Sequence, residues 1–320
     1  MIEDYIHLSK YSRYLETHHR RETWLETVTR LGDFWQCHCD SKEVNKILPT
    51  LTKAIFDKDI MPSMRSLMTA GKALERDNAA GFNCWGIAIN HTRVFDEIFY
   101  LLMCGGGIGF SVERQYINKL PEVAEEFHET DTVIKVRDSK IGWAKGLKEL
   151  IALLYNGDEP SWDLSAVRSS GERLRTFGGR ASGPGPLDNL LHYTVNAFKR
   201  ASGRKLTSIE CHDLVCKIAD TVIVGSVRRA AAMSLSNLTD DRMRRAKMGS
   251  WYDQNPERAL ANNSVAYTEK PDLISYLKEG RSLYQSKAGE RGIVNKVALK
   301  AKAESCGRDH PGDYLLNPLT

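Results

Sequence analysis

The apolar pattern of this chain switches repeatedly between helix and strand spacing, and that alternation limits its fold more than any other feature. Residues 186–200 place Leu187, Leu190, Leu191 and Phe198 on or near one helical face, with Gly203 as a stop. Thr207, Ser208, Ile209 and Glu210 then fit a capping box, in which a hydroxyl and a carboxylate each satisfy a free backbone donor, ahead of Leu214, Val215, Ile218 and Val222. Residues 225–235 are small and apolar after two arginines, and residues 263–267 are short and extended, so both read as buried strands. Helices alternating with buried strands predict an α/β domain with a largely parallel sheet.

Upstream the texture differs. The first fifty residues read as helical, since Trp24, Val28, Leu31 and Trp35 recur at helix spacing and neither glycine nor proline interrupts residues 1–31. We therefore expect a helical N-terminal region over residues 1–60 and the α/β region over 61–320. Between 82 and 110 come two apolar runs, 85–89 and 94–103, and the glycine cluster Gly105, Gly106, Gly107 and Gly109, which predict strand, helix and tight turn. Leu147, Leu150, Ile151 and Leu154 line a further helix over 143–155.

With 320 residues and 42% hydrophobic composition, the chain can bury a large core. No apolar run reaches the roughly 18 residues needed to span a bilayer, and charges occupy the start where a signal peptide needs an apolar stretch, so a cytoplasmic protein away from membranes is expected. Seven scattered cysteines do not resemble a secreted disulfide framework. A net charge of +4 suits anionic ligands such as nucleotides and gives no footprint for direct DNA binding.

Single motifs carry little. The glycine cluster lacks the Lys-Ser or Lys-Thr of a phosphate loop and the G-x-G-x-x-G spacing, so its glycines read as sites of positive φ or close backbone approach. Cys37 and Cys39 point apart on a helix with no second pair at zinc-finger spacing, and no metal site is expected. Cys211 and Cys216 read as core thiols. Arg242, Arg244, Arg245 and Lys247, after Asp240 and Asp241, read as a solvated helix with charges matched to its dipole. Arg228 and Arg229 stand at a helix–strand junction, where open α/β sheets build ligand crevices.

Together these blocks resemble a family. Asn83-Cys84-Trp85, residues 96–112 (DEIFYLLMCGGGIGFSV), 177–187 (FGGRASGPGPL), 225–230 (GSVRRA), 261–266 (ANNSVA), 292–295 (GIVN) and Asn317-Pro318 are similar, in that order, to the monomeric, triphosphate-reducing class II ribonucleotide reductases, which depend on adenosylcobalamin. The resemblance implies a ten-stranded α/β barrel of two parallel five-stranded halves, this chain supplying the first. It also implies an effector-site insertion at about 130–178.

The resemblance further assigns roles. Cys84 matches the first cysteine of the reducing pair, and Asn317 a ribose-binding residue of the central finger loop. Ser63, Asn83, Asn262 and Asn263 fall at substrate-binding positions, while Gly225, Ser226, Arg228 and Arg229 match the loop linking a deoxynucleotide effector to base choice. Implied partners are ribonucleoside triphosphates, deoxyribonucleoside triphosphate effectors and thioredoxin or a similar dithiol. The family's radical cysteine follows Asn-Pro, but here Leu319 follows Pro318 and the sequence stops at Thr320. Leucine cannot carry a thiyl radical, so the polypeptide alone is expected to be inactive. The alternatives are a split gene, with a second polypeptide carrying the C-terminal half, or a fragment. A reductase with another radical source and a noncatalytic nucleotide-binding remnant are the competing readings.

Overall fold

The computed structural model describes residues 2–172, 180–223 and 231–307. The sequence readings at Gly225, Ser226, Arg228, Arg229 and Asn317 lie outside them. The chain divides into two compact units, one within Met1–Asn83 and one from Cys84 onward, with Arg180 grouped with the first.

In the first unit, α1 (Trp24–His38) packs on α2 (Lys42–Phe56), with the indole of Trp24 donating to the Phe56 carbonyl at 2.9 Å. Val28, Leu31, Ile55, Leu67 and Ala70 form its core. The helical reading of the first fifty residues is interrupted here: a short antiparallel pair, Tyr14–Leu15 with Arg20–Arg21, precedes α1. Two interactions explain the break. Thr23 and Glu26 form a capping box that starts α1. Glu22, just before it, is buried as the acceptor for Arg30 at 2.8 Å, Thr27 at 3.1 Å and the Arg13 amide at 3.1 Å. Arg30 also donates to the carbonyls of Leu67 and Ala70, so the helix Met64–Thr69 joins α1, and the first unit runs past residue 60 to Asn83.

The second unit holds β1 (Cys84–Ala88), α3 (Val94–Met103) and β2 (Gly107–Ser111). A βαβ excursion follows, made of β3 (His128–Lys135), α4 (Lys140–Asn156) and β4 (Asp158–Asp163), whose two strands pair in parallel. Helices α5 (Gly185–Arg200) and α6 (Ser208–Ile223) lead to β5 (Ala232–Asn237) and β6 (Ala261–Tyr267). The order closes with α7 (Leu273–Ser286), β7 (Gly292–Asn295) and α8 (Lys296–Ser305).

The main sheet has the order β1-β2-β5-β6-β7, parallel throughout, as the alternation predicts. Parallel neighbours need crossovers long enough to hold a helix, and the intervening segments supply them. Phe95, Ile98, Phe99, Ile108, Phe110, Leu147, Leu190, Phe198, Leu214 and Ile218 belong to one core that spans sheet, crossovers and excursion. The capping box at Thr207 and Glu210 forms, with the Thr207 amide donating to Glu210 at 2.8 Å. Both readings of the glycine cluster hold. Gly105 has φ +78°, and a Cβ on Gly106 would lie 3.0 Å from the Trp85 ring. Cys211 and Cys216 are fully buried core thiols.

The basic run after Asp240 differs from its reading as a solvated helix. Its helix is only Asp241–Arg244, and two of its cations turn inward. Arg244 pairs with buried Glu279 at 2.6 Å, and Lys247 pairs with Glu290 at 2.9 Å. No described helix is long and apolar enough to cross a membrane.

Candidate functional site

Strand alternation and in-register pairing sort the sheet residues onto two faces. Ile87, Phe110, Ser234 and Asn263 make one row of the helix-covered face, where the His212 ring of α6 lies 5.9 Å from that of Phe110. The opposite face carries Cys84, Gly86 and Ala88 from β1, Gly107 and Gly109 from β2, Met233 from β5 and Asn262 from β6. Cys84 aligns with Gly107, and Gly86, Gly109, Met233 and Asn262 form the next row. Cys84 is half-buried and Asn262 exposed. The thiol and the carboxamide thus share a face, three strand spacings and one row apart, roughly 16 Å between their strand positions.

Asn262 and Asn263 are adjacent in sequence and therefore part company. Asn263 is buried, and its Oδ1 accepts from Ser234 Oγ at 2.8 Å and lies 2.9 Å from His212 Nε2. His212 Nδ1 lies 2.9 Å from Asp213 Oδ1, and Arg258 grips the same carboxylate at 2.8 and 2.6 Å. Burial by itself pushes the His212 pKa down, but neighbouring Cys216 and the Asp213 carboxylate outweigh it and hold the imidazole above its ordinary range. The chain of contacts braces α6 against β5 and β6, and so fixes the strand from which Asn262 projects.

A second buried constellation lies where the strands end. Glu113 accepts from Lys296 Nζ at 2.6 Å, Ser111 Oγ at 2.7 Å and Gln115 Nε2 at 3.1 Å. Asn237, at the end of β5, accepts from the Arg114 amide at 2.6 Å. These contacts lock the C-terminal ends of β2 and β5 to the start of α8. A pair buried this fully persists only because further hydrogen bonds satisfy the carboxylate. Sequence reasoning missed both constellations. Glu113 and Lys296 are 183 positions apart, and a lone histidine on an apolar helix face has no spacing signature.

In the first unit, the Ser63 hydroxyl caps the helix Met64–Thr69 by accepting from the Ser66 amide at 3.1 Å. Asn83 Oδ1 accepts from Arg65 Nε at 3.1 Å. Both residues are exposed.

A family model described as the B12-dependent ribonucleotide reductase insertion domain matches residues 114–198. The adenosylcobalamin-dependent ribonucleoside-triphosphate reductases of Lactobacillus helveticus and Levilactobacillus brevis are 27% and 28% identical to this chain, each match covering 89% of it and 47% of the relative. This chain is similar to these reductases over most of its length. A crystal structure of a B-12 dependent (class II) ribonucleotide reductase matches with a TM-score of 0.77 at 24% identity, over 91% of this chain and 48% of that one. The α/β fold with its parallel sheet is therefore shared with that reductase. The chain spans about half the length of the curated relatives it matches. The insertion-domain match takes in β3, α4, β4 and most of α5, and includes residues 130–178.

Proposed function

We propose that this chain is the N-terminal portion of an adenosylcobalamin-dependent ribonucleoside-triphosphate reductase of the cytoplasm, and that its sheet is the first five-stranded half of a ten-stranded α/β barrel. The observation that carries the reading is the match to such reductases along 89% of the chain, joined to a parallel sheet whose first strand opens on Cys84.

In this reading Cys84 delivers hydrogen and electrons beneath the ribose. It then closes a disulfide with a second thiol from polypeptide beyond this chain, the pair giving up two electrons that reduce the 2′ carbon and two protons, one ending on that carbon and the other in the departing water. Thioredoxin or a similar dithiol restores the thiols. Asn262 offers its carboxamide to the nucleotide on the same face, and Asn263 acts from behind by holding β6. The resemblance also offers Ser63, Asn83 and Asn317 as nucleotide contacts. Gly225, Ser226, Arg228 and Arg229 form the effector-reading loop, whose guanidiniums suit a deoxynucleoside triphosphate.

Adenosylcobalamin would supply the initiating radical when bound. The face around Cys84 fits a large planar group in one respect. Positions 86, 88, 107 and 109, on the same face of the first two strands, are glycine or alanine, so the nearest sheet residues carry nothing larger than a methyl group.

The test is deoxynucleotide formation from a ribonucleoside triphosphate, adenosylcobalamin and a dithiol. The chain alone is expected to give none, because Leu319 stands where the family carries its radical cysteine; product from it alone would refute the assignment of a half enzyme. Supplied with the remainder of a reductase, the chain should support turnover, and Cys84→Ser should abolish it.

A further inference from the structure

Strand β6 gains its two neighbours at different points. It pairs with β5 from its first residue, Ala261 against Ala232, whereas its pairing with β7 begins only at Ser264 against Gly292. Residues 261–263 therefore have no β7 partner, and Asn262 lies in the middle of them. A parallel strand turns alternate backbone groups toward each neighbour, so those on the side of β7 need other partners here.

Two side chains supply them. Lys247 Nζ donates to the Ala261 carbonyl at 2.6 Å, and the Asn263 amide donates to Glu290 Oε2 at 3.0 Å. These are backbone groups of the residues immediately before and after Asn262. The two side chains are joined to each other at 2.9 Å, and the Lys247 ammonium also lies 5.4 Å from the centre of the Trp251 ring. Lys247 is only 7% exposed. An ammonium taken that far from water is costly unless it is paired and hydrogen-bonded, so the ion pair and its two backbone bonds persist as a unit. Asn263 is held a second time, through its carboxamide, by Ser234 and His212. Asn262 is thus pinned through both of its neighbours while it is itself exposed, on the face it shares with Cys84.

We propose that Lys247 and Glu290 are positioning residues for Asn262: by bonding the backbone before and after it, they aim its carboxamide at a nucleotide lying over the face of Cys84. The ligand class, a ribonucleoside triphosphate, comes from the proposed reductase reading, on which the inference rests. Both residues act through Asn262 and not on the nucleotide itself.

The side-chain amide signals of Asn262 in the magnetic resonance spectrum of the full, isotope-labelled chain report its carboxamide directly, and their loss in Asn262→Asp identifies them. Lys247→Met should move or broaden these signals, and Lys247→Arg, which keeps a donor and a charge, should restore them. Glu290→Gln keeps an acceptor for the Asn263 amide but discharges the pair; its thermal midpoint reports that the fold is kept, and it should displace the same signals by less. Titration with CTP measures the consequence. Lys247→Met should weaken CTP binding roughly tenfold, the scale of one hydrogen bond to a charged group. Combined with Asn262→Ala, it should bind CTP no more weakly than Asn262→Ala alone, because both changes remove the same contact. Asn262 signals unmoved in the Lys247 and Glu290 variants, or losses that multiply in the double variant as they would for a merely structural cap, would overturn the inference. Failures of the two proposals separate. If CTP leaves the wild-type Asn262 signals unmoved while Lys247→Met displaces them, the nucleotide reading of this face falls and the clasp stands; the opposite pair of results sinks the clasp alone.

Discussion

Helices α6 and α7 both lie beside the main sheet, but they face it in opposite senses. Helix α6 buries Leu214, Val215, Ile218 and Ala219, each 1% exposed or less, and carries the polar contacts of His212 within that apolar surround. Helix α7 buries a glutamate and a serine and shows its leucines and tyrosines to solvent. The difference follows position in the sheet. Helix α6 is covered by neighbouring elements, whereas α7 serves the edge strand, so its sheet-facing side is held by ions and its apolar side faces solvent. Orientation of a helix is thus set by which of its sides finds a partner, and apolar content alone does not decide it.

The sharpest way to break this comparison is to remove the ion that turns α7. Glu279→Ala leaves Arg291, which donates to that carboxylate at 2.8 and 2.9 Å, buried without its acid, and Arg244 with only the exposed Asp241, and should cost about 3–5 kcal/mol in urea unfolding; a loss under about 1 kcal/mol would mean that these ion pairs do not orient the helix. Next comes the matched pair Leu214→Ala and Leu277→Ala. The first creates a core cavity and should cost about 2–5 kcal/mol. The second trims an exposed side chain and should change the stability of the isolated chain by less than about 0.5 kcal/mol. Equal costs would erase the distinction between the helices.

A separate effect lies in pH dependence. The folded pKa of His212, about 10, lies above its ordinary 6.5, so its charged form contributes stability that is complete below 6.5 and is lost as pH rises toward 10. Thermal midpoints of wild type and His212→Gln should therefore converge over that window. A gap that stays constant would show that His212 acts by packing alone.

Local chemistry made much of the fold legible. The capping box at Thr207, the apolar run that became α3 and the small-residue strands β5 and β6 each depend on residues a few positions apart, the range over which sequence pattern speaks directly. The capping box at Thr23 and Glu26 was just as local, yet the helical periodicity around it hid the break it marks. The candidate site was legible in part. Cys84 and Asn262 were singled out as candidates from blocks of residues resembling a family, but that Asn262 shares the thiol's face while Asn263 turns into the helices depends on which face α6 covers.

What the sequence determined by itself was the alternation of helix and strand, the parallel class of the sheet and the cysteine that opens it, because period, caps and glycine placement act within one or two turns of chain. Only the tertiary structure decided the order β1-β2-β5-β6-β7, the clasp of Glu113 with Lys296 across 183 positions, and the outward apolar side of α7. Each of these turns on burial and charge pairing between segments far apart in the chain. A buried ion's partner is chosen by the fold that brings it there, and spacing along the sequence carries no trace of it.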